Sequence, residues 1–337
     1  ALSDEVIMVR GNARIHLGGP SIVKVAINEE VDGETLGGAE MHTRVSGVSD
    51  HLAENECHAL ALMRDIVAGL GLTPRPPAPV FPARPPICDP AELSGVVSAS
   101  RKDPYDVREL LLRVIDAGDF REFKPGWGST LVCGTARIHG YEAGILGNNG
   151  ALLSDSSLKG AQFVSMCDQR NLPLIFLHNV TGFMVGTEAE RGGIAKNSAK
   201  LVYALSVATV PKLSVIVGGS YGAGNYGMCG RGFAPRFLFA WPTAEVATMS
   251  ADIAANVMTE LRRQKGGDAE KMRADLERIE AAVRAQYAAQ SDPYYATSRL
   301  WDDGLIEPGQ TRDVLGLCLA IVTSVPEGER HTPVFRM

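Results

Sequence analysis

The sequence predicts an α/β layered protein, with one long α/β unit behind a shorter front segment. Three observations carry this expectation. Short β-branched and apolar runs alternate with helix-like stretches through the back of the chain. A glycine-rich turn, Val217-Gly-Gly-Ser-Tyr-Gly-Ala-Gly-Asn-Tyr-Gly-Met-Cys-Gly-Arg231, joins one of those runs to a helix start. The connector Thr73-Pro-Arg-Pro-Pro-Ala-Pro-Val-Phe-Pro-Ala-Arg-Pro-Pro86 holds seven prolines, which continue neither a helix nor a central strand and favour extended chain.

In the front segment, His16-Leu-Gly-Gly-Pro20 reads as the end of a strand, followed by Asp50-His-Leu-Ala53 and a helix from Glu56 to Leu70. In the back segment, strands are expected at Thr130 to Ile138, Ala143 to Leu146, Leu172 to Leu177, Lys212 to Val217 and Arg236 to Ala240. Helices are expected around 158–170 and 188–208. A stretch from about Ala255 to Gln290, rich in Ala, Glu, Arg and Lys, reads as an exposed helical insertion interrupted at Gly266-Gly267. Phe239-Ala-Trp-Pro242, Asp302-Asp-Gly-Leu305 and a helix from Thr311 to Thr323 parallel the three front landmarks, so the front segment reads as the tail of a second copy of the same unit. The expected division is a domain remainder over 1–72, a linker over 73–90 and a complete domain over 91–337.

At 337 residues and 45% hydrophobic, the chain can bury a large core. Its net charge of −6 argues against nucleic acid as the main partner. No apolar run reaches the ~18 residues of a membrane span, and no signal peptide is legible. Cysteines 57, 88, 133, 167, 229 and 318 show no Cys-x-x-Cys spacing, and His42, His51 and His58 share no ligand spacing, so no metal site is expected. Buried free thiols in a reducing compartment, cytosol or organelle matrix, follow.

The glycine turn is the main chemical candidate. Gly222, Ala223 and Gly224 can present successive amides at a helix start, where the dipole also favours negative charge. Such a turn is either an oxyanion hole or a tight turn packed for its own sake. Thr181-Gly-Phe-Met-Val-Gly186 follows a strand, where α/β ligands gather, so Thr181, Gly182 and Phe183 either line a pocket or fill the core. Asn148 and Asn149 either bind a ligand or form an Asx turn. Asn225 and Tyr226 either orient a ligand or satisfy backbone groups near the helix start. His178, ending an apolar strand, reads as a structural histidine, while Lys159, Lys196, Lys200, Arg191 and Arg231 read mostly as solvated helix faces that can also meet phosphates.

Gly147-Asn-Asn-Gly150, His178-Asn-Val-Thr-Gly-Phe-Met-Val-Gly186, the glycine turn and Ala240-Trp-Pro-Thr-Ala-Glu-Val-Ala-Thr-Met249, in this order and spacing, resemble the carboxyltransferase (β) subunit of biotin-dependent acyl-CoA carboxylases. The resemblance runs from Ser3-Asp-Glu5 to Phe335-Arg-Met337. The first three motifs resemble methylcrotonyl-CoA and geranyl-CoA carboxylases, whereas Ala240 to Glu245 is nearer the propionyl-CoA type. The resemblance implies a crotonase (ClpP)-like ββα superhelix, with one complete C-terminal domain and the tail of an N-terminal one. It implies carboxyl transfer from carboxybiotin to an acyl-CoA, with charge developing on carbonyl oxygens that amides can stabilise. The Gly222-Ala223-Gly224 turn would then hold the biotin carbonyl, with Asn148, Asn149, Thr181, Gly182, Phe183, Asn225 and Tyr226 around biotin or substrate. It also implies a hexamer built from dimers.

The chain has no Ala-Met-Lys-Met biotinylation sequence and no phosphate loop, so biotin must arrive on a separate carboxylase and carrier (α) subunit. Gly219-Ser-Tyr-Gly222 fails the spacing of a serine-hydrolase elbow. Two other classes stay open. A crotonase-type hydratase or isomerase needs a facing glutamate pair, for which only Glu188 and Glu190 come close, and a non-catalytic scaffold needs no site at all.

Overall fold

The computed structural model describes residues 5–69, 81–98, 105–264, 266 and 269–324. The chain divides into two units, Ala1–Pro74 and Arg75–Met337. In the front unit β1 (Ile7–Val9) pairs in parallel with β2 (His51–Ala53), in register Ile7 to His51. Helix α1 (Pro20–Ile27) and helix α2 (Glu56–Gly69) complete its longer elements. His16 to Pro20 therefore do not end a strand. Pro20 opens α1, where its fixed φ and missing N–H are suited to the first turn. Residues 70 and 73–80 of the expected helix end and connector lie outside the described residues.

The apolar runs of the back unit build one seven-stranded sheet. Helix α3 (Val107–Val114) precedes β3 (Arg121–Phe123), β4 (Leu131–Ile138) and β5 (Tyr141–Asn148), which pair antiparallel in that order. After α4 (Ser154–Gln169) comes β6 (Leu174–Val180), and after α5 (Ile194–Val207) comes β7 (Lys212–Tyr221), both parallel to β5. The six-residue α6 (Gly222–Gly227) follows β7 directly. The first half of β7 pairs with β8 (Phe237–Ala240) and its second half with β9 (Glu245–Ala247), both in parallel. Helices α7 (Ala251–Gln264) and α8 (Ala269–Gln290) then pack on each other, and α9 (Thr311–Thr323) closes the described chain. The helix expected over 188–208 is divided at Gly192-Gly193, where Gly193 takes φ +78°. The insertion breaks near Gly266 as expected, while Gly267 lies outside the described residues.

Alternation along the strands sorts the core onto two faces of the sheet. Ile145, Ile175, Val215 and Val217 face one cluster with Leu110, Leu111, Leu315 and Leu319 of α3 and α9. Leu146, Leu174 and Phe176 face the other with Phe163, Val164 and Leu201 of α4 and α5. A buried ion pair staples α9 to the sheet's far side. Arg312 donates to Asp116 at 2.7 Å and to the Val114 carbonyl at 2.6 Å, and Asp116 also accepts from the His139 and Gly140 amides. Burial pushes the Asp116 carboxyl up, but the Arg312 guanidinium and the Gly140 amide outweigh it and hold it below its ordinary range.

Each unit carries a short parallel pairing followed by a helix. In the back unit Ala240, ending β8, bridges Leu305 in parallel, and α9 follows. In the front unit β1 pairs with β2 in parallel, and α2 follows. The front strand in this arrangement is Ile7–Val9, and not the His16 to Pro20 segment.

Candidate functional site

The C-terminal ends of the adjacent parallel strands β5, β6 and β7 bring the expected site residues together. Tyr221 leaves β7 in an extended conformation (φ −117°, ψ 139°), and Gly222 then reverses the chain at φ +51°. A Cβ at Gly222 would stand 2.7 Å from the Thr248 carbonyl oxygen, so the turn also requires glycine for space. Gly222 is half-buried and Ala223 exposed, and amides in the first turn of a helix have no acceptor within the helix. Gly224 is buried against the next loop: a Cβ there would meet Val180 Cγ2 at 2.8 Å and Gly182 Cα at 2.9 Å.

The second loop, 181–186, is laced to the third. The Leu152 amide donates to the Gly182 carbonyl and the Met184 amide to the Leu152 carbonyl, each at 2.9 Å. Thr181 is exposed and Gly182 takes φ +135° with open space where a Cβ would be. The Phe183 ring lies beneath α6, where a Cβ on Gly227 would stand 2.7 Å from its Cζ. Phe183 accordingly packs with the core cluster of α4 and α5.

The paired asparagines part company. Asn149 spends its side chain on the start of α3, its Oδ1 accepting from the Val107 amide at 2.7 Å and its Nδ2 donating to Asp106 at 3.0 Å. Asn148 ends β5, is 1% exposed, and neither Oδ1 nor Nδ2 has a hydrogen-bond partner among the described residues. An amide buried without a partner costs about 1–3 kcal/mol. Asn225 turns inward, donating to Ser220 Oγ at 2.9 Å. Tyr226 is 52% exposed, edge-on to Phe233 with ring centroids 5.9 Å apart.

Several residues differ from expectation. Lys159 is fully buried in α4, its Nζ donating to the Gly128 carbonyl at 3.4 Å, and burial pushes its pKa below the ordinary value. Arg231 is held by Asp303 and the Trp301 carbonyl. Neither stands as a free phosphate contact. Glu188 and Glu190 are both exposed, with Glu188 paired to Arg191 at 3.1 Å. Sequence reasoning missed Thr248 and Asn179, whose Oδ1 accepts from the Gly219 amide at 3.0 Å. Polar residues ending otherwise apolar strands are the signal that marks Asn179, whereas the Thr248 contact is made by backbone and leaves none. All six cysteines are free, and 133, 167, 229 and 318 are buried as expected, whereas 88 is half-buried and 57 exposed. Among the described residues no group of three or more His, Cys, Asp or Glu side chains can hold a metal, and no helix is long and apolar enough to cross a membrane.

A mixed sheet whose parallel strand ends gather three interlocked, glycine-bearing loops is the framework of a carboxyl transferase domain, and the chain belongs to that family, whose model matches residues 1–337. Among curated proteins, a probable mitochondrial methylcrotonoyl-CoA carboxylase beta chain from Drosophila melanogaster is 46% identical, over 100% of this chain and 61% of its own length. The biotin-dependent 3-methylcrotonyl-coenzyme A carboxylase beta1 subunit of Mycobacterium tuberculosis is 47% identical, over 100% of this chain and 64% of its own length. The crystal structure of the P. aeruginosa geranyl-CoA carboxylase beta subunit superposes with a TM-score of 0.76 at 42% identity, over 99% of this chain and 63% of that one. The transcarboxylase 12S hexamer, solved with hydrolysed methylmalonyl-coenzyme A bound, gives 0.67 at 32% identity, over 100% of this chain and 64% of that one. The chain thus spans under two thirds of the length of these relatives. The fold is the crotonase-like α/β fold that the resemblance implied.

Proposed function

We propose that the chain is part of the β subunit of a biotin-dependent acyl-CoA carboxylase, moving a carboxyl group to 3-methylcrotonyl-CoA or a related branched or unsaturated acyl-CoA. The observation that carries this is the interlocking of the three loops, Gly224 against Gly182 and Leu152 against Gly182, beside the first-turn residues Gly222 and Ala223. Carboxybiotin, brought by a separate α subunit, supplies the carboxyl group. The residues present fit a ureido group, which carries both donors and an acceptor. Asn148 offers an amide with both functions unpaired, and the first turn of α6 offers N–H donors. The Gly222 and Ala223 amides would stabilise negative charge on the ring carbonyl, an effect worth about 3–4 kcal/mol per preorganised donor. Thr181, Gly182, Asn225 and Tyr226 would shape the surrounding pocket, with Phe183 supporting it from beneath. Asn149 would support Asn148 by anchoring the loop to α3.

The few buried apolar residues of the front unit, Met8, Ala39 and Ala53, support its reading as the remainder of an N-terminal carboxyltransferase domain. We place the biotin site between domains of different subunits in a dimer-built hexamer, located in the cytosol or an organelle matrix. The exposed positions of Glu188 and Glu190 disfavour a hydratase, because no facing glutamate pair is formed there. The test is carboxylation of 3-methylcrotonyl-, geranyl-, propionyl- and acetyl-CoA by the full-length subunit reconstituted with its biotin-carrying partner. Turnover highest with an unsaturated thioester is expected. A higher kcat/KM for propionyl-CoA would overturn the substrate assignment, and no biotin-dependent turnover would overturn the activity.

A further inference from the structure

We infer that His178 and Ser220 are positioning residues for the Gly222 turn, which they tie through Asn225 to the end of β6. The inference rests on the carboxyltransferase reading and deepens it. His178 and Ser220 are both fully buried, in strand ends that are otherwise mostly apolar. His178 Nδ1 lies 3.1 Å from Ser220 Oγ, and Asn225 Nδ2 donates to that same oxygen at 2.9 Å. Three elements are therefore joined side chain to side chain: β6, β7 and α6.

The surroundings leave this chain of contacts little freedom. Asn225 is wedged by Gly230, where a Cβ would stand 1.8 Å from its Oδ1, and its carbonyl accepts from the Gly230 amide at 2.8 Å. Pairing between β6 and β7 is irregular between His178 and Val180, so this stretch of ladder cannot by itself fix the spacing of the two loops. Asn179 and His178 bridge that irregularity from consecutive positions, one binding the Gly219 amide and the other the Ser220 hydroxyl. The Thr181 loop and the Gly222 turn are thereby anchored at their roots by side chains.

A neutral His178 ring can accept the Ser220 proton at Nδ1 or donate from it, and both are compatible with the Asn225 contact, because a hydroxyl oxygen accepts two hydrogen bonds. Burial, which depresses the His178 pKa to about 3, keeps the ring uncharged at neutral pH. His178 is placed to hydrogen-bond Ser220, and is not placed to touch substrate.

The test uses Ser220→Ala, His178→Leu and His178→Gln in the full-length β subunit reconstituted with its biotin-carrying partner, with kcat and the KM for acyl-CoA measured separately. Ser220→Ala and His178→Leu should lower kcat about tenfold with KM for acyl-CoA unchanged. His178→Gln, whose side-chain amide can still hydrogen-bond Ser220 in either role, should recover at least about a third of the wild-type rate. Ser220→Ala removes a single oxygen, so it keeps the test valid should His178→Leu fail to fold. An active wild type with Ser220→Ala within twofold of it, or His178→Gln no better than His178→Leu, would overturn the positioning role alone. A wild type without biotin-dependent turnover would overturn the carboxyltransferase reading and this inference together.

Discussion

Gly224→Ala is the smallest change that separates the two central loops. The added Cβ would stand 2.8 Å from Val180 Cγ2, 2.9 Å from Gly182 Cα and 3.2 Å from Gly182 N. Comfortable carbon contacts begin near ~3.5 Å, so relief demands a movement of roughly 0.6 Å, and two of the three obstacles are backbone. Overpacking of this kind costs about 1–3 kcal/mol. In a unit of this size it lowers Tm by roughly 2–12 °C. A glycine-to-valine change here is therefore not a thermally silent probe of the turn, and alanine is preferable. If the Thr181 loop and the Gly222 amides act on one ligand, the same displacement misplaces an oxyanion donor, and losing one costs about 10²–10³ in kcat. The assay is biotin-dependent decarboxylation of the carboxylated acyl-CoA by the full-length subunit, with a melting curve on the same preparation. Wild-type turnover in a variant that melts several degrees lower would show that the two loops need not be in register, and would refute the reasoning.

Asp116→Ala leaves the Arg312 guanidinium buried without its carboxylate, and should cost about 3–5 kcal/mol in denaturant unfolding, a loss under ~1 kcal/mol counting against the staple. His178 should make the protein acid-sensitive: its pKa falls from 6.5 in the unfolded chain to about 3 in the fold, so the unfolded state alone binds the proton in that window. The stability it contributes is complete above pH 6.5 and is lost as pH falls toward 3, by about 2 kcal/mol at pH 5. His178→Gln should flatten that slope, and an unchanged slope would exclude His178 as its source. Burial raises the thiol pKa values of Cys167 to about 12 and of Cys229 and Cys318 to about 11. Alkylation at pH 8 followed residue by residue should thus label Cys57 quickly, Cys88 slowly and the other four only on unfolding.

The strands that were legible are those whose β-branched runs exceed what a helix or turn would use. Lys212 to Val217 and Leu172 to Leu177 are the clearest, and both are found within a few residues of their expected bounds. Tyr141-Glu142 and Gly147-Asn148 carry no such signal, and β5 includes them because β4 runs antiparallel alongside, pairing Leu131 with Asn148. Glu245–Ala247 is three residues following a proline-containing segment, and only its place beside β7 makes it a strand. The glycine turn could be read because positive φ and close approach leave a compositional trace. The Thr248 contact is made by backbone from the bend that follows β9, so no local pattern announces it. Lys159 misled for a related reason: a lysine on a helix is ordinarily solvated, and its burial beside Gly128 is set by tertiary packing alone.

The two-helix hairpin of α7 and α8 has both its feet on β9. One foot is the chain itself, running from Ala247 through Thr248 into α7. The other is Tyr287, hydroxyl to hydroxyl with Thr248 at 3.1 Å, and Ser291, whose carbonyl accepts from the Val246 amide at 3.4 Å. Thr248 is also the residue whose carbonyl abuts Gly222. The base of the hairpin and the seat of the glycine turn thus share one residue, Thr248, whose side chain meets the hairpin and whose carbonyl meets the turn.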